Sequence, residues 1–283
     1  MRERNWYYVL AVLVLGALFV ALVPTNVMSA DNKPDTYYIY NSHDVSGPMG
    51  AINAAVLPCA EDFTHWFNGT GGINGVPIKI ITRDNVNKVD AGIAAYEYFR
   101  QQKPKPSVVS ISSTGIAFAL KDRCAEDKIV NMLCGSSNKA IYPVGWIVGT
   151  TVSYTSACAA TFEWIRKNWK GGKIKVGFLT WDNPYGKGIF DPKLEKWFAE
   201  QPGMELVGKE VFKGRDVDVA TQIMRLKHKG ANWIYDNTVA VGPAVVSKSL
   251  KAMGCSARTL VTLLLVKSIE PLALGGLIVA CSD

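Results

Sequence analysis

Residues 69–85, GTGGINGVPIKIITRDN, decide the fold of this chain. The four glycines that open the stretch permit positive φ angles and a sharp change of chain direction. The run Val76–Thr82 that follows is apolar and β-branched, which predicts a largely buried strand. Residues 50–68 upstream are predicted to form a helix. The local order is therefore helix, glycine loop, strand.

That order argues against a nucleotide site in the glycine loop. A loop that cradles phosphate needs a strand first, then the glycines, then the positive N-terminus of a helix. Here the glycines follow a helix and lead into a strand, and the chain contains no Gly-Lys-Ser or Gly-Lys-Thr sequence. The glycines therefore predict a structural turn.

Outward from this stretch, strands and helices alternate in two blocks. The first block is predicted to have strands at 36–41, 76–82, 107–111 and 128–133 and helices at 50–67, 89–102 and 115–126. Residues 142–151 cross to a second block, which is predicted to have helices at 153–169, 186–201, 217–229 and 243–253 and strands at 173–180, 205–212, 233–235 and 260–266. Repeated strand–helix units indicate parallel sheets with helices on both faces. We therefore predict an α/β fold of two lobes, with a ligand cleft at the carboxyl ends of the strands.

The same sequence carries a family resemblance. GGINGVPIKIITRDN, preceded by SGPMG at 46–50 and with SISSTG at 110–115 after it, resembles the periplasmic substrate-binding proteins of branched-chain amino-acid ABC transporters. The likeness runs from Tyr38 to Gly254. It implies the type I periplasmic binding fold, two Rossmann-like lobes around a cleft, and it implies no cofactor. The implied function is capture of a branched-chain or related amino acid, or a similar small carboxylate, for delivery to an inner-membrane ABC permease. The alternative is a ligand-sensing module of the same fold that feeds a regulator or receptor.

The resemblance ends before the chain does. A typical member continues beyond the position of Gly254 with a strand, an acidic residue that meets the ligand ammonium, and a return to lobe 1. Here residues 267–283 match nothing in the family, so the resemblance implies a truncated C-terminus and the ammonium-binding acid cannot be placed. We predict lobe 1 at 31–150, an incomplete lobe 2 at 151–266 and an atypical tail at 267–283, with an unpaired edge on the sheet of lobe 1.

Residues 1–30 are predicted to be an export signal, which indicates a periplasmic protein. Arg2 and Arg4 precede the unbroken apolar run Val9–Val23, which is shorter than the roughly 20 residues of a membrane-spanning helix. Ala30 is an acceptable cleavage residue. Met28, two places earlier, fits a cleavage site poorly, and an uncleaved membrane anchor is therefore the alternative.

Composition limits the other classes of function. The formal net charge is +7, but the lysines are scattered and form no long basic run, which favours a soluble basic surface over nucleic-acid binding. Six cysteines in an exported chain allow fifteen disulfide connectivities, which sequence cannot choose between. Without a C-x-x-C motif or clustered histidines, most of these thiols are expected to be buried small hydrophobes, and no metal site is predicted.

Two hydroxyl-rich loops are the predicted carboxylate site of lobe 1. Ser113 and Thr114 follow one predicted strand and open a helix, and Gly135, Ser136 and Ser137 follow the next strand. Free amide hydrogens and partial positive charge at a helix N-terminus suit a carboxylate. The alternative is that Ser113 or Thr114 is an ordinary N-cap. The family resemblance favours the carboxylate, because its members bind the amino-acid carboxylate with these two loops.

Lobe 2 is predicted to close the site from the other side. The loop WDNPYG at 181–186 is similar to a family loop whose tyrosine lies over the ligand, which here is Tyr185; the alternative is packing of its aromatic rings into the lobe core. Asp236, Asn237 and Thr238 end the next strand and could present polar groups across the cleft, at a place where family members often carry aromatic residues. Tyr154, after the crossing, is a further candidate ligand contact. The chain has no G-x-S-x-G, H-E-x-x-H or paired-carboxylate motif, so we predict a binding protein and not an enzyme.

Overall fold

The computed structural model describes residues 33–261 and 277–282 of the chain. Its first sheet holds five parallel strands in the order β2-β1-β3-β4-β5. The strands are β1 (Tyr37–His43), β2 (Ile78–Asp84), β3 (Val108–Ile111), β4 (Val130–Leu133) and β5 (Ile147–Gly149). The helices between them are α1 (Gly50–Gly69), α2 (Val89–Arg100), α3 (Thr114–Asp127) and the single turn α4 (Asn138–Ile141).

The second sheet has the order β7-β6-β8-β10-β9. Its strands are β6 (Ile174–Trp181), β7 (Met204–Phe212), β8 (Trp233–Asn237), β9 (Ser256–Val261) and β10 (Leu277–Ser282). Its helices are α5 (Tyr154–Asn168), α6 (Pro192–Glu200), α7 (Ala220–His228) and α8 (Gly242–Ala252). The two sheets fall on either side of residue 150, where the sequence predicts the boundary between the lobes. The predicted α/β class with helix-flanked sheets is confirmed.

The glycine loop between α1 and β2 has the predicted conformation. Gly71, Gly72 and Gly75 all have positive φ angles. At Gly72 (φ +62°) a Cβ atom would lie 2.2 Å from the carbonyl oxygen of Val76, so only glycine fits. Asn68, at the end of α1, donates to the carbonyl oxygen of Ile78 (2.9 Å) and accepts from its amide (2.8 Å). The loop therefore fixes where β2 begins.

Apolar residues on both faces of the second sheet form its core. Alternate residues of β8 point to opposite faces: Trp233 and Tyr235 belong to the apolar cluster that contains Phe162, and Ile234 belongs to the cluster that contains Ile223. In the first sheet one face is covered by α2 and α3, around the fully buried side chains Tyr96, Phe99, Ile111 and Ile116.

The other face of the first sheet is partly open. Val108, Met132 and Val148 lie on that face of β3, β4 and β5 and are 37%, 43% and 47% exposed. Parallel sheets are normally covered on both faces. Helix α1 has Asn53 as its one buried residue and exposes Trp66. The defect predicted for this sheet was an unpaired edge, that is, a strand without a neighbouring strand. The described residues show a different feature, a face of the sheet that is partly uncovered.

Three predictions of secondary structure were wrong in detail. The helix predicted at 186–201 is a 3-10 turn, Gly186–Ile189, followed by α6, because Asp191 caps α6 by accepting from the Lys193 amide and Pro192 takes its first position. Strand β5 lies in the crossing 142–151, for which no strand was predicted. Residues 277–282 of the predicted atypical tail form β10, which pairs antiparallel with both β8 and β9.

The remaining predictions concern the cysteines and the two ends of the chain. Cys124 and Cys158 are buried as expected, but Cys59 and Cys134 are exposed; neither these four nor Cys255 forms a disulfide. The predicted signal at 1–30 lies outside the described residues, as do residues 262–266 of the last predicted strand. Among the residues that the structure describes, no helix combines the length and apolar character that a membrane crossing requires.

Candidate ligand-binding site

The carboxyl ends of the strands in the two sheets approach each other. A Cβ atom at Gly115, in the loop after β3, would lie 3.6 Å from the Pro184 ring in the loop after β6. Met49, just before α1, packs against the apolar cluster of the second sheet that contains Trp181. The strand-end loops of the two sheets therefore lie against each other.

The loop after β3 presents Ser113 and Thr114 at the start of α3. Ser113 is partly exposed, and its side chain makes no capping hydrogen bond to the helix. The alternative that Ser113 is an ordinary N-cap therefore has no support in the structure. Thr114 is buried, and its hydroxyl lies 3.1 Å from the hydroxyl of Tyr154.

The loop after β4 contains two hydroxyl groups without partners. Ser136 is completely buried and Ser137 is 1% exposed, and neither side-chain oxygen makes a hydrogen bond to a described residue. Gly135 has φ +83°, and its amide donates to the Thr151 hydroxyl (3.2 Å). The helix after this loop, α4, is a single turn of four residues, so its dipole offers an anion little help. The two serine hydroxyls are the groups that remain available.

Tyr154 joins the two loops. Its hydroxyl contacts Thr114 and donates to the carbonyl oxygen of Gly135. A Cβ atom at Gly135 would lie 2.6 Å from that hydroxyl, so glycine is what allows the phenol to approach. Burial raises the pKa of Tyr154, and the phenol can therefore act as a hydrogen-bond donor at neutral pH, as any tyrosine can. Sequence reasoning listed Tyr154 as a ligand contact; the structure places it inside the predicted carboxylate site, hydrogen-bonded to two of its residues.

Tyr185 lies where the loop after β6 meets both apolar clusters of the second sheet. Its ring is 4.9 Å from the ring of Tyr154 and 6.0 Å from that of Trp181. Burial raises the pKa of Tyr185, and the neighbouring Tyr154, Tyr235 and Asp236 raise it further. These contacts agree with the core-packing alternative, and a role for Tyr185 in covering a ligand stays a prediction.

Asn237 and Thr238 are both buried at the end of β8. The Asn237 side chain donates to the carbonyl oxygens of Tyr185 (3.4 Å) and Gly186 (3.2 Å), so it holds the loop after β6 in place. The Thr238 hydroxyl has no hydrogen-bond partner in the described part of the chain. The structure thus gives Asn237 a positioning role, whereas Thr238 keeps a free polar group.

Asp236, predicted together with Asn237 and Thr238 to present a polar group toward the cleft, lies near the end of β8. Asp236 is completely buried, and neither carboxylate oxygen makes a hydrogen bond of normal geometry to a described residue. Burial raises its pKa to about 7, and Thr238 beside it lowers the pKa only partly. The sequence feature that indicates it is an acid near the end of the strand WIYDN, whose first three residues are apolar.

In the described part of the chain, the candidate site consists of polar side chains at the strand ends of the two sheets. Partnerless hydroxyls lie at the strand ends of the first sheet and a buried acid lies at those of the second. The model of the periplasmic binding protein family matches residues 41–280 of the chain. The chain belongs to this family. The predicted resemblance is confirmed at that level, and no curated protein sequence matches the chain.

Solved structures with the same fold are named for, or were solved with, different ligands. One is a branched-chain amino-acid ABC transporter protein from Thermus thermophilus with bound valine, with 22% identity and a TM-score of 0.67, covering 77% of this chain and 56% of the other. A fatty-acid ABC transporter substrate-binding protein from Thermomonospora curvata has 18% identity and a TM-score of 0.67, covering 77% and 55%.

A solute-binding protein of an ABC transporter from Rhodopseudomonas palustris BisB5, in complex with 3,4-dihydroxybenzoic acid, has 18% identity and a TM-score of 0.64, covering 78% and 59%. At these identities the likeness establishes the fold alone. This periplasmic binding protein spans a little over half the length of the relatives it matches.

Proposed function

We propose that this periplasmic binding protein captures a small carboxylate between its two sheets and delivers it to an inner-membrane ABC permease. The observation that carries the proposal is the pair of buried, partnerless hydroxyls of Ser136 and Ser137 at a strand end. Burying a hydroxyl without a partner is unfavourable, and a carboxylate is a strong acceptor for both. Ser113 and Thr114 on the neighbouring strand end complete the proposed clamp.

The ligand class proposed is a branched-chain or related amino acid. The structural neighbours include proteins named for valine, a fatty acid and dihydroxybenzoic acid, and all three of these ligands carry a carboxyl group. That shared group matches the hydroxyl pair of the first sheet. Tyr185 and Tyr154 provide aromatic surface next to the clamp, which suits an apolar side chain.

Removal of one clamp hydroxyl tests the proposal. In Ser137→Ala, affinity for leucine, isoleucine or valine should fall about ten- to a hundredfold, because a hydrogen bond to a buried charge is worth about 1.5–3 kcal/mol. Isothermal titration calorimetry measures this. Ser247→Ala, on α8 and away from the strand ends, is the matched control and should bind as the parent does. Equal affinity of Ser137→Ala and the parent would rule out the clamp, and a best ligand without a carboxylate would rule out the substrate class.

Delivery to a permease requires export, which we also propose. The evidence is the sequence of residues 1–30: two arginines, a 15-residue apolar run and a terminal Ala30. N-terminal sequencing of the protein from a periplasmic fraction should begin at residue 31. A chain that keeps Met1 and stays with the membranes would show that the segment is an anchor.

A further inference from the structure

Helix α1 carries an apolar stripe that is largely exposed. Its members recur at alternating spacings of four and three residues, the pattern of helices that pack side by side, and they are Ile52, Val56, Cys59, Phe63 and Trp66. Val56, Phe63 and Trp66 are 44%, 53% and 63% exposed, and Cys59 is exposed as well. A surface helix normally turns its apolar stripe toward the core, so this stripe is available to a partner.

The charges on α1 limit the kind of partner. Among its 20 residues the helix has two carboxylates, Glu61 and Asp62, and neither lysine nor arginine. Helices that lie on membrane surfaces are rich in lysine and arginine on their polar face, because anionic lipids attract those side chains. The α1 stripe therefore fits an apolar protein surface better than a lipid surface.

Helix α1 lies on the open face of the first sheet. The connection β1–α1–β2 runs toward one edge of the sheet, whereas β2–α2–β3 and β3–α3–β4 run toward the other edge. Because such connections are right-handed, α1 lies on the face opposite α2 and α3. That is the face on which Val108, Met132 and Val148 are exposed. The stripe and the exposed strand residues thus belong to one side of the molecule.

The exposed area of this side indicates how strong an association it supports. At about 150–250 Å² for a whole aromatic side chain, the exposed parts of Phe63 and Trp66 alone amount to roughly 200 Å². With the aliphatic residues of the same side, the apolar surface reaches the few hundred Å² that mark an interaction site. A standard stable interface takes about 800 Å² from each partner. The surface therefore supports a reversible association and not a permanent one.

The stripe is symmetrical about Cys59. Val56 and Phe63 lie three and four residues to either side of Cys59, and Ile52 and Trp66 lie seven residues to either side. A surface with this symmetry can pack against a second copy of itself around a twofold axis.

The carboxylates decide the direction of such a pair. Two parallel helices would place Asp62 beside Asp62 of the second copy. Antiparallel helices that cross at Cys59 separate these two residues by six positions, about 9 Å along the axis, which is close to the Debye length at physiological salt. The repulsion is then largely screened, so charge favours the antiparallel pair.

We infer that the α1 stripe is the centre of a homodimer interface, in which α1 of two copies cross antiparallel at Cys59. The exposed residues of β3, β4 and β5 flank this contact. A twofold contact of this kind is closed, so association stops at the dimer. The inference goes beyond the proposed function and requires no ligand, so it can fail while the proposed function stands.

Sedimentation equilibrium of the full chain without ligand tests the association. We expect a monomer–dimer equilibrium with a dissociation constant between about 1 and 100 μM. Phe63→Glu places a charge in the stripe and should raise this constant at least tenfold. Ala54→Glu is the matched control, because it adds the same charge to an exposed position on the far side of α1. A parent that stays monomeric at about 100 μM, that grows beyond the dimer, or that responds equally to both variants would overturn the inference.

Oxidative cross-linking tests the crossing point and does not depend on whether Phe63→Glu folds. Diamide takes up two hydrogens from two thiols, its N=N bond becomes N–N, and the sulfurs form one disulfide. Non-reducing electrophoresis should show a linked dimer for the parent and for Cys134→Ser, which removes another exposed thiol, but not for Cys59→Ser. A parent that does not cross-link, or a link that persists in Cys59→Ser, would show that the two helices do not cross at Cys59.

Discussion

Replacement of Asp236 by asparagine should make the stability of the fold less dependent on pH. Asp236 is completely buried, and burial raises its pKa from 3.8 to about 7 even though Thr238 beside it lowers the pKa in part. Between these two values the unfolded chain has lost the proton that the folded chain keeps. The unfolded state therefore binds fewer protons, and the free energy of unfolding falls as the pH rises through this window.

The size of the effect follows from the two pKa values. The window is about 3 pH units wide, and each unit corresponds to about 1.4 kcal/mol, so the loss is on the order of 4 kcal/mol once the pH exceeds 7. Asparagine has no proton to lose. The stability of Asp236→Asn relative to the parent should therefore rise by that amount between pH 4 and pH 8, whatever the cost of burying the amide itself.

Urea unfolding followed by tryptophan fluorescence at pH 4, 6 and 8 measures the difference. Asp62→Asn makes the same chemical change at an exposed position of α1, and its stability should follow the parent at each pH. If the curves for Asp236→Asn and the parent run parallel from pH 4 to pH 8, the Asp236 carboxyl group is not desolvated in the folded protein. The electrostatic part of the account would then be wrong.

Three further predictions concern the fold. Gly72→Ala should lower the free energy of unfolding by at least about 1–2 kcal/mol, because φ +62° is unfavourable for alanine and its Cβ would meet the Val76 carbonyl; Gly69→Ala, with open space at its Cβ, should cost less in the same urea titration. The parent should self-associate through the open face of the first sheet in sedimentation velocity, and Met132→Lys, which places a charge on that face, should reduce this association. The uncovered face should also keep the midpoint of thermal unfolding below about 65 °C in calorimetry, and a cooperative transition well above that value would contradict this.

The alternation of strands and helices could be predicted because it depends on local patterns. The β-branched run after the glycines and the glycine turn itself both appear in the structure as expected. The three-residue strand β5 could not be predicted, since so short a segment has no periodicity to detect. Strand β10 depends on pairing with β8 and β9, which are distant in the sequence, and its own residues carry no sign of that pairing.

The candidate site could be predicted as a set of loops but not as a network. Turn chemistry and strand ends were enough to select Ser113 and Ser137. The roles of Tyr154 and Asn237 arise from contacts between residues far apart in the chain, a phenol against Gly135 and an amide against the Tyr185 loop. The complete burial of Asp236 could not be predicted, because a single acid at a strand end usually indicates an exposed position.

The most direct test of the central claim is whether leucine protects Cys134 from alkylation. Cys134 immediately precedes the proposed carboxylate loop and is exposed. Partial desolvation raises the pKa of its thiol, and the reaction is therefore run at alkaline pH. Mass spectrometry follows iodoacetamide modification of Cys134 and, as an internal control, of the exposed Cys59 on α1. Saturating leucine should slow modification of Cys134 and leave Cys59 unchanged. Unchanged rates at both thiols under saturating leucine would show that the ligand does not bind between the two sheets.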